Sequence, residues 1–533
     1  MVYNSVRMEL PTSLVEYGSR RIIITITAVV CALLEIIDTT IVNVALPDMR
    51  GSLGATLNEV SWVITAYSLA NVIIVPLTSW LSQQFGRRNY FAASIIIFTV
   101  CSFLCGNATN IWELVLFRFL QGLGGGALLV TSQTIITESW PTEKRATAQA
   151  IYTLGVIVGP TLGPPLGGFI IDNYSWPYIF YINIPIGVIA ALLTLQYVRS
   201  PQYEKKRDAS QVDWLGIFLL MVGICSLQFV LEKGQEEDWF SSTLIVVLSV
   251  LAVFGLFFFI WRQWVYKYPV VELRVLKNGN LRIGVVLSFI MGFGLFGSTF
   301  VIPLYTQSLL GWTAQQSGML QLPSTLFVAF MMPVVAILIQ KGVPQKYLIA
   351  IGMSIFFIYS YLSYTILTPD TSSKDFFWVL IIRGLGLGLL SVPVSTMSLS
   401  TLKGQEIGQG AAFSGMMRQL GGAFGVALIS TFVIRQTDFH RSTLVDHLDV
   451  NNPDVQNKIT QMAAGMRSKG FDLATAQNKA YAMLDGAVMK QATVLSYMDV
   501  FLWVGIMFLV CVPFVLLLVK TSKKKINLAE AAH

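Results

Sequence analysis

Charge is scarce in this sequence: 12% of its 533 residues are Asp, Glu, Lys or Arg, whereas soluble domains carry about 25%. A soluble enzyme of two to four domains needs charge to cover its surface, so that class is excluded. Histidine is scarcer still, at three residues, and His440, His447 and His533 all fall outside the apolar stretches. No imidazole is therefore placed to carry a proton across a membrane, which leaves that task to carboxylates. The five cysteines, Cys31, Cys101, Cys105, Cys225 and Cys511, all lie inside apolar stretches. They form neither a paired-thiol framework nor a Cys/His metal site, and their expected role is packing. No Gly-x-x-x-x-Gly-Lys-Ser/Thr loop occurs, which excludes a single-chain ATP-driven pump. Residues 1–21 hold Arg7, Glu9, Glu16, Arg20 and Arg21 and have no apolar core followed by a small-residue cleavage site, so no signal peptide is read.

What the sequence has in abundance is apolar length. Hydrophobic residues make up 54% of the chain and the mean hydropathy is +0.65. One anchor of about 20 residues cannot move the average that far, so many spans are required and the bilayer is a partner of the whole chain. Counting apolar stretches between charged or Pro/Gly-rich breaks gives fourteen, joined by short connections except for 435–495. The net charge of +7 does not indicate nucleic acid, because of where the bases sit. Arg87, Arg88, the 204–208 charge run and Lys523 to Lys525 fall on one side, while the short loops of the other side hold only Arg50, Lys233 and Lys374. This positive-inside asymmetry predicts an even number of spans with both termini cytoplasmic.

The expected fold is an all-α integral membrane protein. Its parts are a cytoplasmic N-terminus (1–21), a six-helix bundle (22–198), a linker with two additional transmembrane helices (199–280), a second six-helix bundle (281–519) and a cytoplasmic tail (520–533). Internal echoes support the two bundles. Arg118-Phe-Leu-Gln-Gly-Leu-Gly in the fourth span returns loosely as Arg383-Gly-Leu-Gly-Leu-Gly, and the turn Gln83-Gln84-Phe-Gly-Arg-Arg has a faint partner in Gln340-Lys341-Gly-Val-Pro-Gln-Lys. Repeated six-span halves around a midplane site are the architecture of secondary transporters. The long loop reads as a helical hairpin. Asn452 caps a helix with Pro453 at its first position, Gly470 stops it, and Asp472 starts a second helix that runs into the last span. It is either a docking surface or a lid on its own outer face.

Within the spans, Asp38 is the leading candidate, because an ionised carboxylate deep in a membrane helix costs several kcal/mol unless paired or protonated. Glu35 lies one turn earlier on nearly the same face. Two neighbouring carboxylates in low dielectric do not easily both ionise, which suits a site that binds and releases a proton. The competing reading is a structural carboxylate tied to a helix end or a hydroxyl. Arg118 is the natural counter-charge, as an intramembrane guanidinium must pair. In the fifth span Gly155, Gly159, Gly163 and Gly167 recur every fourth residue, a smooth stripe for close helix approach, with Pro160, Pro164 and Pro165 permitting bends. Ordinary small-residue packing explains such stripes too.

Asp38-Thr-Thr-Ile-Val-Asn-Val-Ala-Leu-Pro47, Arg118-Phe-Leu-Gln-Gly-Leu-Gly-Gly-Gly126, the stretch Gly155 to Gly168 and Trp176-Pro-Tyr-Ile-Phe-Tyr-Ile-Asn-Ile-Pro-Ile-Gly187 resemble the major facilitator superfamily. With fourteen spans they resemble its EmrB/QacA-type drug:H+ antiporters. The resemblance implies that Arg118 lies near Asp38 in proton coupling, that protonating Asp38 weakens the pair and lets the halves rock, and that the glycine stripe marks an antiporter. Ser79 to Arg88 is similar to the superfamily's cytoplasmic gating loop in Gly86, Arg87 and Arg88, and departs from it at Ser79 and Gln83. A solvated positive loop accounts for the two arginines almost as well. Substrate contacts implied by position are Asn43, Trp62, Tyr67, Gln121, Phe180, Asn183 and Arg418. For Arg418 and Arg383, the second span-borne base of the C-terminal half, structural pairing ranks ahead of an anionic substrate. The function implied is proton-coupled efflux of lipophilic drugs from the cell's inner membrane, without enzymatic activity or cofactor, and with a periplasmic adaptor as partner where the host has an outer membrane. The alternative is export of one dedicated metabolite such as a fatty acid, peptide or siderophore.

Overall fold

The computed structural model describes residues 14–201, 211–448 and 452–518. The 204–208 charge run, most of the N-terminal segment and Lys523 to Lys525 lie outside the described residues. The helices run in the order α1 Gly18–Leu53, α2 Leu57–Phe85, α3 Arg87–Gly106, α4 Ile111–Ser139, α5 Arg145–Asn173, α6 Tyr178–Tyr181, α7 Asn183–Tyr197, α8 Trp214–Lys233 and α9 Thr243–Val265. They continue with α10 Gly279–Ser308, α11 Ala314–Leu320, α12 Leu322–Gln340, α13 Gln345–Ile366, α14 Ser373–Leu399, α15 Gln405–Asp446, α16 Pro453–Arg467 and α17 Leu473–Leu518. Taking α6 with α7 and α11 with α12 as single spans, fourteen helices among the described residues are long and apolar enough to cross a membrane. No strand occurs among the described residues, as expected where lipid offers no partner to a free backbone amide.

The most apolar spans are the least buried. The most apolar window belongs to α9, with mean hydropathy 2.9, and only 22% of it is buried; α14, at 1.9, is 78% buried. Lipid accepts apolar side chains as readily as the interior does, so the outer helices are the greasiest and the polar groups gather inside. Phe254, Phe257, Phe258 and Trp261 of α9 all face outward. Helices α8 and α9 close on each other where Gly223 and Gly255 meet backbone to backbone, and Arg262 and Gln263 both bind Asp213.

The two halves repeat their packing. Helix α1 lies on α5 as α10 lies on α15, and α4 sits between α2 and α3 as α14 sits between α12 and α13. Glycines set these close approaches. A Cβ on Gly124 would stand 2.8 Å from Phe98 N of α3, and one on Gly386 would stand 3.1 Å from Phe356 N of α13. Gly122 and Gly384 press likewise on Tyr67 and Ser324. This packing aligns Gly122-Leu-Gly124 with Gly384-Leu-Gly386, so Arg383 matches Gln121 in position and not Arg118. The fainter echo holds in geometry as well, since Gly86 and Gly342 end α2 and α12 with φ of 78° and 87°.

Among the described residues of 435–495, α16 and the start of α17 form a helical hairpin. The Asn452 side chain accepts from Asp454 N, Gly470 has φ of 92°, and α17 then runs unbroken from Leu473 through the final span. Hydrogen bonds from Thr475 hold the Asp472 carboxyl below its usual range. Helix α16 packs on α17 through Ile459, Ala463 and Ala480.

The stripe on α5 seats against α1. Gly155 faces Val29, Gly159 faces Ile36, Gly163 faces Thr40 and Gly167 faces Ile41. A Cβ on Gly163 overlaps the Thr40 side chain and stands 3.2 Å from Ile41 N, so the backbone of α1 must move. Gly163→Ala is expected to destabilise by about 1–3 kcal/mol through overpacking. Gly465→Ala on α16, where nothing lies within 4 Å, is expected to be neutral or stabilising by a few tenths. Thermal unfolding in detergent compares the two.

Candidate functional site

Asp38 lies inside the first six-helix bundle and is wholly withdrawn from the surface at 0% exposure. Arg118 of α4 donates from Nη1 to Asp38 Oδ2 at 2.5 Å. Gln121, one turn along α4, donates from Nε2 to Oδ1 at 3.0 Å, and Asn183 at the start of α7 donates to the same oxygen at 2.9 Å. Ser102 of α3 accepts from both amides. Arg118 reaches further, from Nε to the Val63 carbonyl of α2 and from Nη1 to Gln121 Oε1. Its guanidinium stands 4.1 Å from the Tyr67 ring centroid and 5.7 Å from that of Phe180. Every charge and amide here has partners, as a buried network must.

Four of the predicted substrate contacts therefore belong to this cluster: Gln121 and Asn183 bind Asp38, and Tyr67 and Phe180 flank Arg118. The other three lie apart. Asn43 is exposed on α1, and Trp62 packs on Phe229 of α8 with ring centroids 5.7 Å apart. Arg418, on α15 of the opposite half, reaches Tyr152 of α5 and lies in electrostatic range of Glu35.

Glu35 faces a different surrounding from Asp38 although only three residues separate them. Asn71 of α2 donates from Nδ2 to its Oε1 at 2.7 Å, while Oε2 is buried and makes no hydrogen bond within the protein. Gly125 of α4 brings backbone close to both groups, since a Cβ there would lie 3.5 Å from Glu35 Cγ and would overlap the Tyr67 hydroxyl.

At the end of the bundle where α2 passes into α3, the left-handed Gly86 turns the chain and buries Arg87, which pairs with Glu138 at the end of α4. A solvated loop thus describes Arg88, which is exposed, and not Arg87. The sequence reading missed Glu138, although an acid closing an apolar span was a visible signal. The departure at Gln83 also finds a partner: Gln405 of α15 donates to Gln83 Oε1 at 2.8 Å, joining the two halves. The halves meet again where Gln340 of α12 donates to Thr147 of α5, and where Thr161 and Thr325 share a hydrogen bond of 2.6 Å.

The profile of the Major Facilitator Superfamily matches residues 28–426, well over half of the chain. The chain belongs to the Major Facilitator Superfamily. Its relatives are of the EmrB type that the motifs resemble. It is 32% identical over 493 residues to the fatty acid resistance protein FarB of Neisseria gonorrhoeae, covering 92% of this chain and 95% of the relative. It is 31% identical over 484 residues to the multidrug export protein EmrB of Escherichia coli K12, covering 91% and 92%. Two solved structures share the fold. The human organic anion transporter MFSD10 has a TM-score of 0.56 at 14% identity and covers 92% of this chain and 100% of its own. The proton:xylose symporter XylE has 0.56 at 15% identity, covering 93% and 96%.

Among the described residues, the C-terminal half of this superfamily member carries no counterpart of the Asp38 pair. Arg383 is 3% exposed and donates to Ser298, to Thr299 and to Gln321, all neutral. The structural pairing expected for Arg383 is thus made by hydroxyl and amide oxygens, without an acid among the described residues. A further span-borne acid that sequence reasoning passed over is Glu232 near the end of α8, which accepts from Gln228 at 2.8 Å.

Removing one member of the Asp38–Arg118 pair leaves the other buried and uncompensated. Arg118→Met is expected to lose about 3–5 kcal/mol of stability. Asp38→Asn added to Arg118→Met should return part of that loss, because no charge is then stranded. Thermal unfolding of the single and double variants in detergent measures the coupling.

Proposed function

We propose that this chain is a proton-coupled antiporter that exports lipophilic drugs and other toxic compounds by alternating access between two six-helix halves, 22–198 and 281–519, with 199–280 adding two helices. It is a transporter of small molecules rather than an enzyme, and the proton gradient replaces any cofactor. The observation that carries this reading is the Asp38–Arg118 pair, sealed in one half of a chain whose halves touch through few polar bonds. A membrane protein holding only a scaffold does not need two carboxylates and a guanidinium at the centre of one bundle.

Arg118 is bound to α1 through Asp38 and to α2 through Val63, so it ties helices of the bundle together. Gain or loss of a proton on the α1 carboxylates changes that hold, and the two packings of the halves exchange as a result. The α5 stripe transmits the change, because it lies directly on the turns of α1 that carry Glu35 and Asp38. Arg87 with Glu138 and Gln83 with Gln405 close the cytoplasmic end.

Drug export is favoured over a dedicated metabolite by the names of several relatives, multidrug export proteins at 30–31% identity. The fatty acid resistance protein supports the metabolite reading less well. The positive-inside asymmetry supports cytoplasmic termini in a cytoplasmic or inner membrane. The hairpin of α16 and α17 is the natural seat for a periplasmic adaptor where the host has an outer membrane.

In proteoliposomes with an imposed pH gradient, lipophilic cations and neutral drugs are expected to move against their gradient. Fatty acids are expected to move more slowly. Transport that proceeds equally well without the gradient would end the coupling hypothesis. Asp38→Asn is expected to abolish gradient-driven export while still inserting in the membrane, and undiminished export by that variant removes Asp38 from the mechanism.

A further inference from the structure

The two added helices lie over the seam between the halves. Helix α8 is carried on α2: Phe229 packs on Trp62, Glu232 bonds the side chains of Thr65 and Ser68, and Lys233 donates from Nζ to Ser61 Oγ at 2.6 Å. These contacts recur at turn spacing on both helices, so one face of α8 is fixed along the end of α2. Further along α8, Leu220 and Ile224 continue that face into the apolar cluster that holds Val72 and Ile73. The same cluster takes in Ala411 and Ala412 of α15, so α8 follows the line where α2 of one half and α15 of the other come together.

The two ends of that line are joined differently. At one end α2 and α15 touch directly, through Gln405 on Gln83 and through Gly408, where a Cβ would stand 3.5 Å from Ser79 Oγ. Thr431 lies about 35 Å along α15 from Gly408, and Ser61 about 27 Å along α2 from Ser79. There the link runs through the α8–α9 connection, because Trp239 donates from Nε1 to Thr431 Oγ1 at 3.0 Å. Its ring is seated on Gly234, where a Cβ would stand 2.8 Å from two ring carbons. Asp238 and Trp239 have φ of 59° and 51°, and among the described residues they alone, glycines aside, have positive φ. A bulky aromatic residue keeps such a backbone only where its contacts impose it, and strain of this kind gathers at parts that switch. The indole also has a second acceptor, Gln235 Oε1 at 3.1 Å. Leaving Thr431 therefore strands no donor.

We propose that the α8–α9 connection is a latch at the outer end of the transporter. The N-terminal half carries it on α2, and the Trp239 indole holds α15 of the other half in the arrangement of this structure, with the Gln83–Gln405 end closed. When the halves exchange, α15 moves away from α8 and the indole N–H withdraws to Gln235. This assignment rests on the alternating-access reading and its sidedness, and it gives the two helices beyond the repeated halves a part in the cycle. Donor and acceptor are both neutral, so the bond biases the two arrangements by about two- to tenfold. A bias of that size tunes the exchange without locking it. Trp239 is thus a positioning residue, acting through α15.

The test uses the full-length transporter in nanodiscs, with nitroxide labels at Asn58→Cys on α2 and Arg435→Cys on α15, both exposed positions, and with the half-buried Cys225 and Cys511 replaced by alanine. Label-to-label distances from double electron–electron resonance read the populations of the two arrangements. Trp239→Phe keeps the ring and loses the donor, and Thr431→Val keeps the shape and loses the acceptor. Each is expected to lower the ratio of this arrangement to the other by about twofold or more, and the double variant by no more than the larger single effect. Trp378→Phe, which alters an exposed indole on α14, should leave the ratio alone. An unchanged ratio in both variants overturns the latch, and so do effects that add in the double variant. A single distance in wild type and in every variant, whatever the pH, removes the exchange of halves and this proposal with it. Transport that ignores the pH gradient while the latch effects persist removes the coupling reading alone and leaves the latch standing.

Discussion

Much of this structure follows from the cost of holding one carboxylate out of water. Asp38 is fully enclosed in the membrane portion of the chain, where no solvent compensates its charge. Compensation has to come from protein, and it comes from three helices at once: Arg118 and Gln121 on α4, Asn183 on α7 and, behind the amides, Ser102 on α3. Those bonds fix how α1, α3, α4 and α7 lie relative to one another. Together with Asn71 on Glu35 and Arg87 on Glu138, this cluster sets the register of a bundle whose other contacts are mainly apolar.

Close approach is the second requirement, and glycine meets it. Short hydrogen bonds between helices need backbones nearer than ordinary side chains permit. Gly122 and Gly126 let α4 settle on α2, Gly124 lets it settle on α3, and the α5 stripe does the same for α1. The C-terminal half keeps the glycines and drops the charge pair, placing Arg383 where Gln121 stands and surrounding it with hydroxyl and amide oxygens. The halves are thus alike in packing and unlike in chemistry.

Much of this was legible before any coordinates. Fourteen spans followed from apolar length, the hairpin from Asn452, Pro453, Gly470 and Asp472, and the pairing of Asp38 with Arg118 from the cost of charge in lipid. Other features were not legible. Gln121 and Asn183 read as substrate contacts because their positions on the helices were known but their partners were not. Arg87 read as a candidate for the solvated face because a charge run next to a turn usually is one, and Glu138 lies 51 residues away. Trp62 read as a cavity wall because nothing in the chain's order announces that α8 covers it.

Composition and periodicity by themselves determined that lipid is the solvent, that helices are the elements and that the few charges within the spans must be paired, because each of these depends on local cost per residue. Only the tertiary structure decided which charge meets which. The difference between Glu35 and Asp38 lies in the donors that α2, α4 and α7 bring from distant parts of the chain. Two acids one turn apart on a single helix have nearly the same sequence surroundings, and their separate fates come from the neighbours that folding places beside them.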